Sequence, residues 1–156
     1  MPSDEQDKAG VVAPPPLIYL GPLVFGLLLS RRFPIAFLPR RITRSLGWPL
    51  LSGGVLLISW FEWVMHHAGT PANPYKPVSR MITEGPFQYT RNPAYLSMTM
   101  IYTGIASLVN SLWAILLLPV ALQVIQRGVI EREERYLERT FGEEYLRYKV
   151  QVRRWI

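Results

Sequence analysis

The feature that most limits this chain is the gathering of its apolar residues into blocks, each closed by arginine, proline or tryptophan. These blocks, with their edges, cover residues 11–30, 46–65, 93–109 and 112–127. A helix needs about 20 apolar residues to cross the hydrocarbon core of a bilayer, and the blocks stand at or near that length. Within lipid every backbone N–H and C=O must be bonded inside the spanning structure, which favours helices over open strands. The expected fold is therefore all-α, a polytopic membrane protein with about four transmembrane helices. Trp48, Trp60 and Trp63 mark the ends of the second block, where aromatic rings anchor at the interface. Asn110-Ser111 is the whole turn between the last two blocks, short enough to force an antiparallel hairpin.

Between and beyond the blocks the chain is polar. Residues 1–10 carry Asp4, Glu5, Asp7 and Lys8 without an apolar pattern and read as a disordered tail, leaving residues 11–156 as one membrane-embedded domain. Arg40, Arg41 and Arg44 place a basic loop before the second block, and the prolines of residues 69–77 make a rigid crossing loop. After the last block, residues 129–150 read as C-terminal helices broken at Gly142. Of 17 Lys and Arg, five fall between Arg31 and Arg44 and the other 12 lie on the side of the tail, connector and C-terminal helices. The positive-inside rule then makes the C-terminal helices a cytosolic cap. A net charge of +6 with arginines flanking apolar blocks points to membrane lipid headgroups and not to nucleic acid. With no cysteine, disulfides, thiolate metal sites and a cysteine nucleophile are excluded. Nothing in the pattern fixes an oligomeric state.

The connector at residues 83–95 is the richest stretch. Gly85-Pro86 forces a turn, and Pro93 turns Asn92 away from helix and opens one itself, so Arg91-Asn92 is expected as an extended corner at a helix start. Backbone N–H groups are free at such a corner, where an anion can dock. Arg91 is either a forked donor to a carboxylate or phosphate, or a headgroup anchor. Asn92 and Tyr95 either line a polar ligand or serve as helix cap and interface aromatic. Glu133 and Glu134 accept hydrogen bonds from an ammonium or from ribose hydroxyls, or belong to a solvated helix with Glu131 pairing to Arg135. Glu62, His66 and His67 lack a fourth ligand, so no metal site is expected. Gly104, Ala106 and Ser107 form a small-residue stripe, either a close helix contact or a thin place through which a lipid-borne acceptor passes.

Gly85-Pro86-Phe87, Arg91-Asn92-Pro93-Ala94-Tyr95, Glu133-Glu134 and Phe141-Gly142-Glu143-Glu144-Tyr145 together resemble a family of integral membrane methyltransferases. It includes isoprenylcysteine carboxyl methyltransferase and the phospholipid methyltransferases, and the resemblance covers roughly residues 70–150. It implies S-adenosylmethionine as cofactor, held by Met81, Ile82, Phe87, Asn92, Pro93, Ala94, Tyr95, Glu133 and Glu134. It also implies a catalytic Arg91 that positions a lipophilic or lipidated acceptor, at an active site facing the cytosol. Isoprenylcysteine carboxyl O-methylation is the nearest match, with phospholipid or other amine or thiol methylation as the alternative. This chain departs from the family at Val129, where an arginine is usual, and at Gln151-Val152-Arg153, where Arg-Val-Pro is usual. Both positions lie toward the substrate in the prenylcysteine enzymes. A nicotinamide-dependent sterol-reductase-like protein and a non-catalytic membrane protein are the readings from other classes.

Overall fold

The structure, a computed structural model, describes residues 10–70 and 80–156. Most of the expected tail and of the proline-rich loop falls outside the described residues. All regular structure among the described residues is helical. Helix α1 spans Pro15–Arg32, α2 Arg40–His67, α3 Pro93–Val109, α4 Leu112–Ile125, α5 Glu131–Phe141 and α6 Glu143–Gln151, and a short 3-10 turn covers Gly85–Gln88. A π turn, Gln126–Ile130, joins α4 to α5, so Leu112–Phe141 is one continuous helix of 30 residues.

Prolines set several of these starts. Pro15 and Pro93 occupy first-turn positions, where a missing N–H costs nothing and the fixed φ suits a helix. Pro39, at φ −55°, starts α2 earlier than expected. The three arginines Arg40, Arg41 and Arg44 therefore lie in the first turns of that helix, and the expected basic loop is replaced by a short loop, residues 33–39, that carries no charge. Asn110, at φ 57°, ends α3 in the left-handed region, and its side-chain Nδ2 donates to the Leu38 carbonyl at 2.8 Å. Ser111 then caps α4, its hydroxyl accepting from the Ala114 N–H at 3.1 Å.

Two helices, Arg40–His67 and Leu112–Phe141, are long and apolar enough to cross a membrane, and α3 is a shorter apolar helix. The outward faces are apolar: Leu17, Leu20, Phe25 and Leu28 of α1, Val55 and Leu56 of α2, and Leu116 and Val120 of α4 are exposed. α2 packs along α3, α1 packs along α4, and α3 touches both α1 and α4. The α2–α3 contact is a glycine seam. A Cβ on Gly104 would lie 2.7 Å from the Leu51 nitrogen and 3.0 Å from the Gly47 oxygen, and one on Gly54 would lie 2.8 Å from the Ser97 oxygen. Close approach of this kind is how helices associate without a hydrophobic drive between them. It closes the thin place expected at Gly104, Ala106 and Ser107: Ala106 is fully buried, Ser107 nearly so, and Gly104 faces backbone.

Candidate functional site

The connector is shaped before it is functional. Gly85 sits at φ +62°, and a Cβ added there would lie 2.7 Å from Val64 Cγ2, a position with no room for a side chain. The turn that follows lays Phe87 against Phe61 of α2 at a ring separation of 5.8 Å and Tyr89 against Trp60 at 6.2 Å. Thr90 closes the corner, its hydroxyl accepting from the Asn92 N–H at 3.1 Å.

A strap formed by the residues after α6 then runs across this corner. Arg91 N–H donates to the Arg153 carbonyl at 3.0 Å, and the Arg154 carbonyl accepts from Thr90 Oγ1 at 3.1 Å and from Asn92 Nδ2 at 2.8 Å. The Tyr148 hydroxyl donates to the Phe87 carbonyl at 2.7 Å, and Trp155 Nε1 donates to Gln126 Oε1 at 3.3 Å. Asn92 therefore neither caps α3 nor opens freely to solvent; its amide ties the connector to the strap.

The π turn brings α5 to the other wall. One extra residue in a turn rotates the following helix by about 100°. Glu133 and Glu134 then face the connector. The Tyr95 hydroxyl donates to Glu133 Oε1 at 2.8 Å. Arg154 forks onto Glu134, with Nε 2.9 Å from Oε1 and Nη2 2.6 Å from Oε2. Arg91 Nη1 lies 3.1 Å from Glu134 Oε1, an ion pair in which the two side chains are 10% and 8% exposed. That approach is not aligned as a hydrogen bond, and both Nη1 and Nε of Arg91 are buried donors without an acceptor among the described residues. The Tyr145 hydroxyl also faces Arg91.

The two carboxylates are thus unlike. Glu134 is held by cations. Burial pushes Glu133 up to about 7, the Tyr95 hydrogen bond opposing this and the neighbouring Glu134 charge adding to it. The local pairing of Glu131 with Arg135 considered from sequence is not what organises α5. Its ion pairs among the described residues are long-range, Glu134 with Arg91 and Arg154, and Glu138 with Lys149.

Of the residues singled out in the sequence, Arg91, Asn92, Tyr95, Glu133 and Glu134 come together here, with Pro93 and Ala94 in the first turn of α3 beside them. Phe87 joins only through its carbonyl, its ring being spent on Phe61. Met81 and Ile82 are partly buried on irregular backbone upstream, outside this hydrogen-bonded cluster. Arg154, Thr90, Tyr145 and Tyr148 are participants that sequence reasoning missed. The available signal was Glu134 itself, since a carboxylate on an apolar-flanked helix needs a cation and Arg153-Arg154 stand just past α6. His67 is a local matter: its Nδ1 lies 2.8 Å from the Trp63 carbonyl and its ring stacks on Trp63.

Comparison with known proteins bears on the same segment. A protein of Haemophilus influenzae described as uncharacterized is 42% identical over 62 residues, which is 40% of this chain and 98% of that protein. No solved structure matches the chain. The family model for phospholipid methyltransferase matches residues 42–144, from the first turn of α2 through the connector and the paired glutamates to the start of α6. That match takes in well over half of the chain, which belongs to the phospholipid methyltransferase family of integral membrane methyltransferases.

Proposed function

We propose that the protein transfers a methyl group from S-adenosylmethionine to a lipophilic acceptor at the membrane surface, at the cluster between the connector and α5. Four helices, α1 to α4, sit in the membrane in this reading, and α5 and α6 form a cap on the cytosolic side. The observation that carries the proposal is the joining of connector and α5 by Tyr95 and Glu133 at 2.8 Å, with the unfilled N–H groups of Arg91 alongside.

The residues fit the cofactor in kind. Glu133 is a carboxylate short of countercharge, suited to an ammonium or to ribose hydroxyls, and Asn92, Pro93, Ala94 and Tyr95 supply the adjoining helix start. Met81, Ile82, Phe87 and Glu134 complete the proposed binding set. When bound, S-adenosylmethionine supplies an electrophilic methyl group on a sulfonium.

What the chain itself contributes is position and dryness. Arg91 orients an anionic acceptor through an N–H group that is already desolvated, so its geometry is fixed before the acceptor arrives. A carboxylate so held needs no base, being its own nucleophile, and this favours carboxyl O-methylation of a prenylcysteine-like acceptor. One observation favours an amine acceptor such as a phospholipid headgroup instead: Glu133, poised near neutrality, can take the proton an ammonium must lose before it attacks.

Purified protein in nanodiscs, given methyl-labelled S-adenosylmethionine with either S-farnesylcysteine or phosphatidylethanolamine, separates these. Base-labile label on the first acceptor supports O-methylation, and base-stable label on the second supports N-methylation. Retention of NADPH with no label in either lipid, and no binding of S-adenosylmethionine, sinks the methyltransferase reading.

A further inference from the structure

The strap residue Arg154 belongs to no pattern that led to the site, yet its side chain makes the shortest polar contact in it. Its guanidinium takes both oxygens of Glu134, at 2.9 and 2.6 Å. Glu134 Oε1 is also 3.1 Å from Arg91 Nη1, so one carboxylate stands between two cations, hydrogen-bonded to Arg154 and ion-paired with Arg91 without an aligned hydrogen bond. The other cation, nine-tenths buried, has two N–H groups, at Nε and Nη1, that make no hydrogen bond among the described residues. Leaving buried donors without acceptors is unfavourable, and here the fork on Arg154 holds the carboxylate where it pairs with Arg91 without an aligned hydrogen bond.

We propose that Arg154 is a positioning residue: by holding both Glu134 oxygens it keeps the buried N–H groups of Arg91 open for the anionic head of the acceptor. This rests on the reading above in which Arg91 holds that head. The charges agree with it, since the buried Arg91 and Glu134 with the one-third-exposed Arg154 sum to one positive charge, which suits a monoanion. Without Arg154 the Glu134 carboxylate is free to turn onto Arg91 and take Nη1, from which its Oε1 already stands 3.1 Å. The strap does not depend on the Arg154 side chain for its place, because the Arg153 and Arg154 carbonyls are bonded to Arg91 N, Thr90 Oγ1 and Asn92 Nδ2. Replacing the side chain thus removes the fork and leaves the strap.

The test is a binding measurement made without cofactor, on the full chain in zwitterionic nanodiscs, with decanoate and monodecyl phosphate as probes and empty nanodiscs as the partition control. The two probes share a tail and differ in head, so they separate a carboxylate from a phosphate as the preferred anion. Arg154→Ala should weaken the better probe by about tenfold or more, the scale of one hydrogen bond to a charged group. Adding Glu134→Gln to that variant should restore binding to within about threefold of wild type, because a neutral amide competes poorly for Arg91. A purely structural arginine would show no such restoration. Should Arg154→Ala not remain folded, Arg154→Lys carries the same comparison, since a single ammonium cannot hold both oxygens. The inference is overturned if Arg154→Ala or Arg154→Lys binds both probes as wild type does, or if Glu134→Gln fails to restore what was lost. Probe binding that follows the expected pattern in a protein that transfers no methyl group would refute the proposed function and leave this inference standing.

Discussion

Helix α3 has two neighbourhoods that solve opposite problems. Along its middle it meets α2 at Gly47, Gly54 and Gly104, where backbone touches backbone and no space remains. At its start it meets the connector, the strap and α5, where a buried arginine has donors to spare and a buried carboxylate is short of charge. The first arrangement is what a membrane scaffold needs, since packing alone holds helices together in lipid. The second breaks the rule that buried polar groups are satisfied, and such breaks gather at functional sites, where a ligand completes them. The difference teaches that close packing and buried polar groups are kept apart on one helix, with the glycine seam fixing where the polar corner stands.

Breaking the seam should have the largest effect. Gly104→Leu drives a side chain into the Leu51 backbone, which cannot yield as a flexible side chain would, and should cost at least about 3 kcal/mol or prevent folding. Unfolding in graded denaturing detergent measures it, and wild-type resistance would mean the seam is not tight. On the polar side, Glu134→Ala leaves two cations facing each other across a buried gap and should cost about 3 to 5 kcal/mol in the same assay.

Glu133→Gln sharpens the contrast because its sign is reversed. Burial raises Glu133 from 4.5 to about 7, so the folded chain keeps a proton that the unfolded chain releases between those values. Stability should therefore fall as pH rises through that window, by about 1 to 3 kcal/mol in all, and stay low above it. The glutamine variant should lack this slope and be the more stable protein at pH 8, checked by thermal unfolding at pH 5 and pH 8. A change that stabilises while impairing binding marks a residue kept for function. The smallest effect is expected at Gly21 of α1, where nothing lies within 4 Å of an added Cβ. Gly21→Ala should stabilise by about 0.5 to 1 kcal/mol, and a loss there would show that the outer face of α1 is covered.

The helical fold was legible because block length and terminal signals are local: Pro93, Asn110-Ser111 and Gly142 mark helix ends where the structure has them. The early start of α2 was not, since three arginines suggested a loop while Pro39 set the helix. In the polar cluster, the meeting of Arg91, Tyr95 and Glu133 was legible through their motif. Arg154 was not, because its partner Glu134 is 20 residues away and is reached only once α6 and the strap fold back. The seam was half legible: the small residues were visible, but whether they seal a contact or leave a passage depends on the facing Gly47 and Leu51 backbone.

The most direct test of the central claim, that connector and α5 form one S-adenosylmethionine pocket with Glu133 in its wall, is calorimetric binding of S-adenosylmethionine at pH 6 and pH 8. The wild-type protein should bind about tenfold more tightly at pH 8, as Glu133 loses its proton near 7 and can receive the cofactor's ammonium. Glu133→Gln should bind more weakly than wild type at pH 8 by about 1.5 to 3 kcal/mol and show no such pH dependence. No binding to the wild-type protein at either pH, or identical binding by the two proteins at both, would contradict the account.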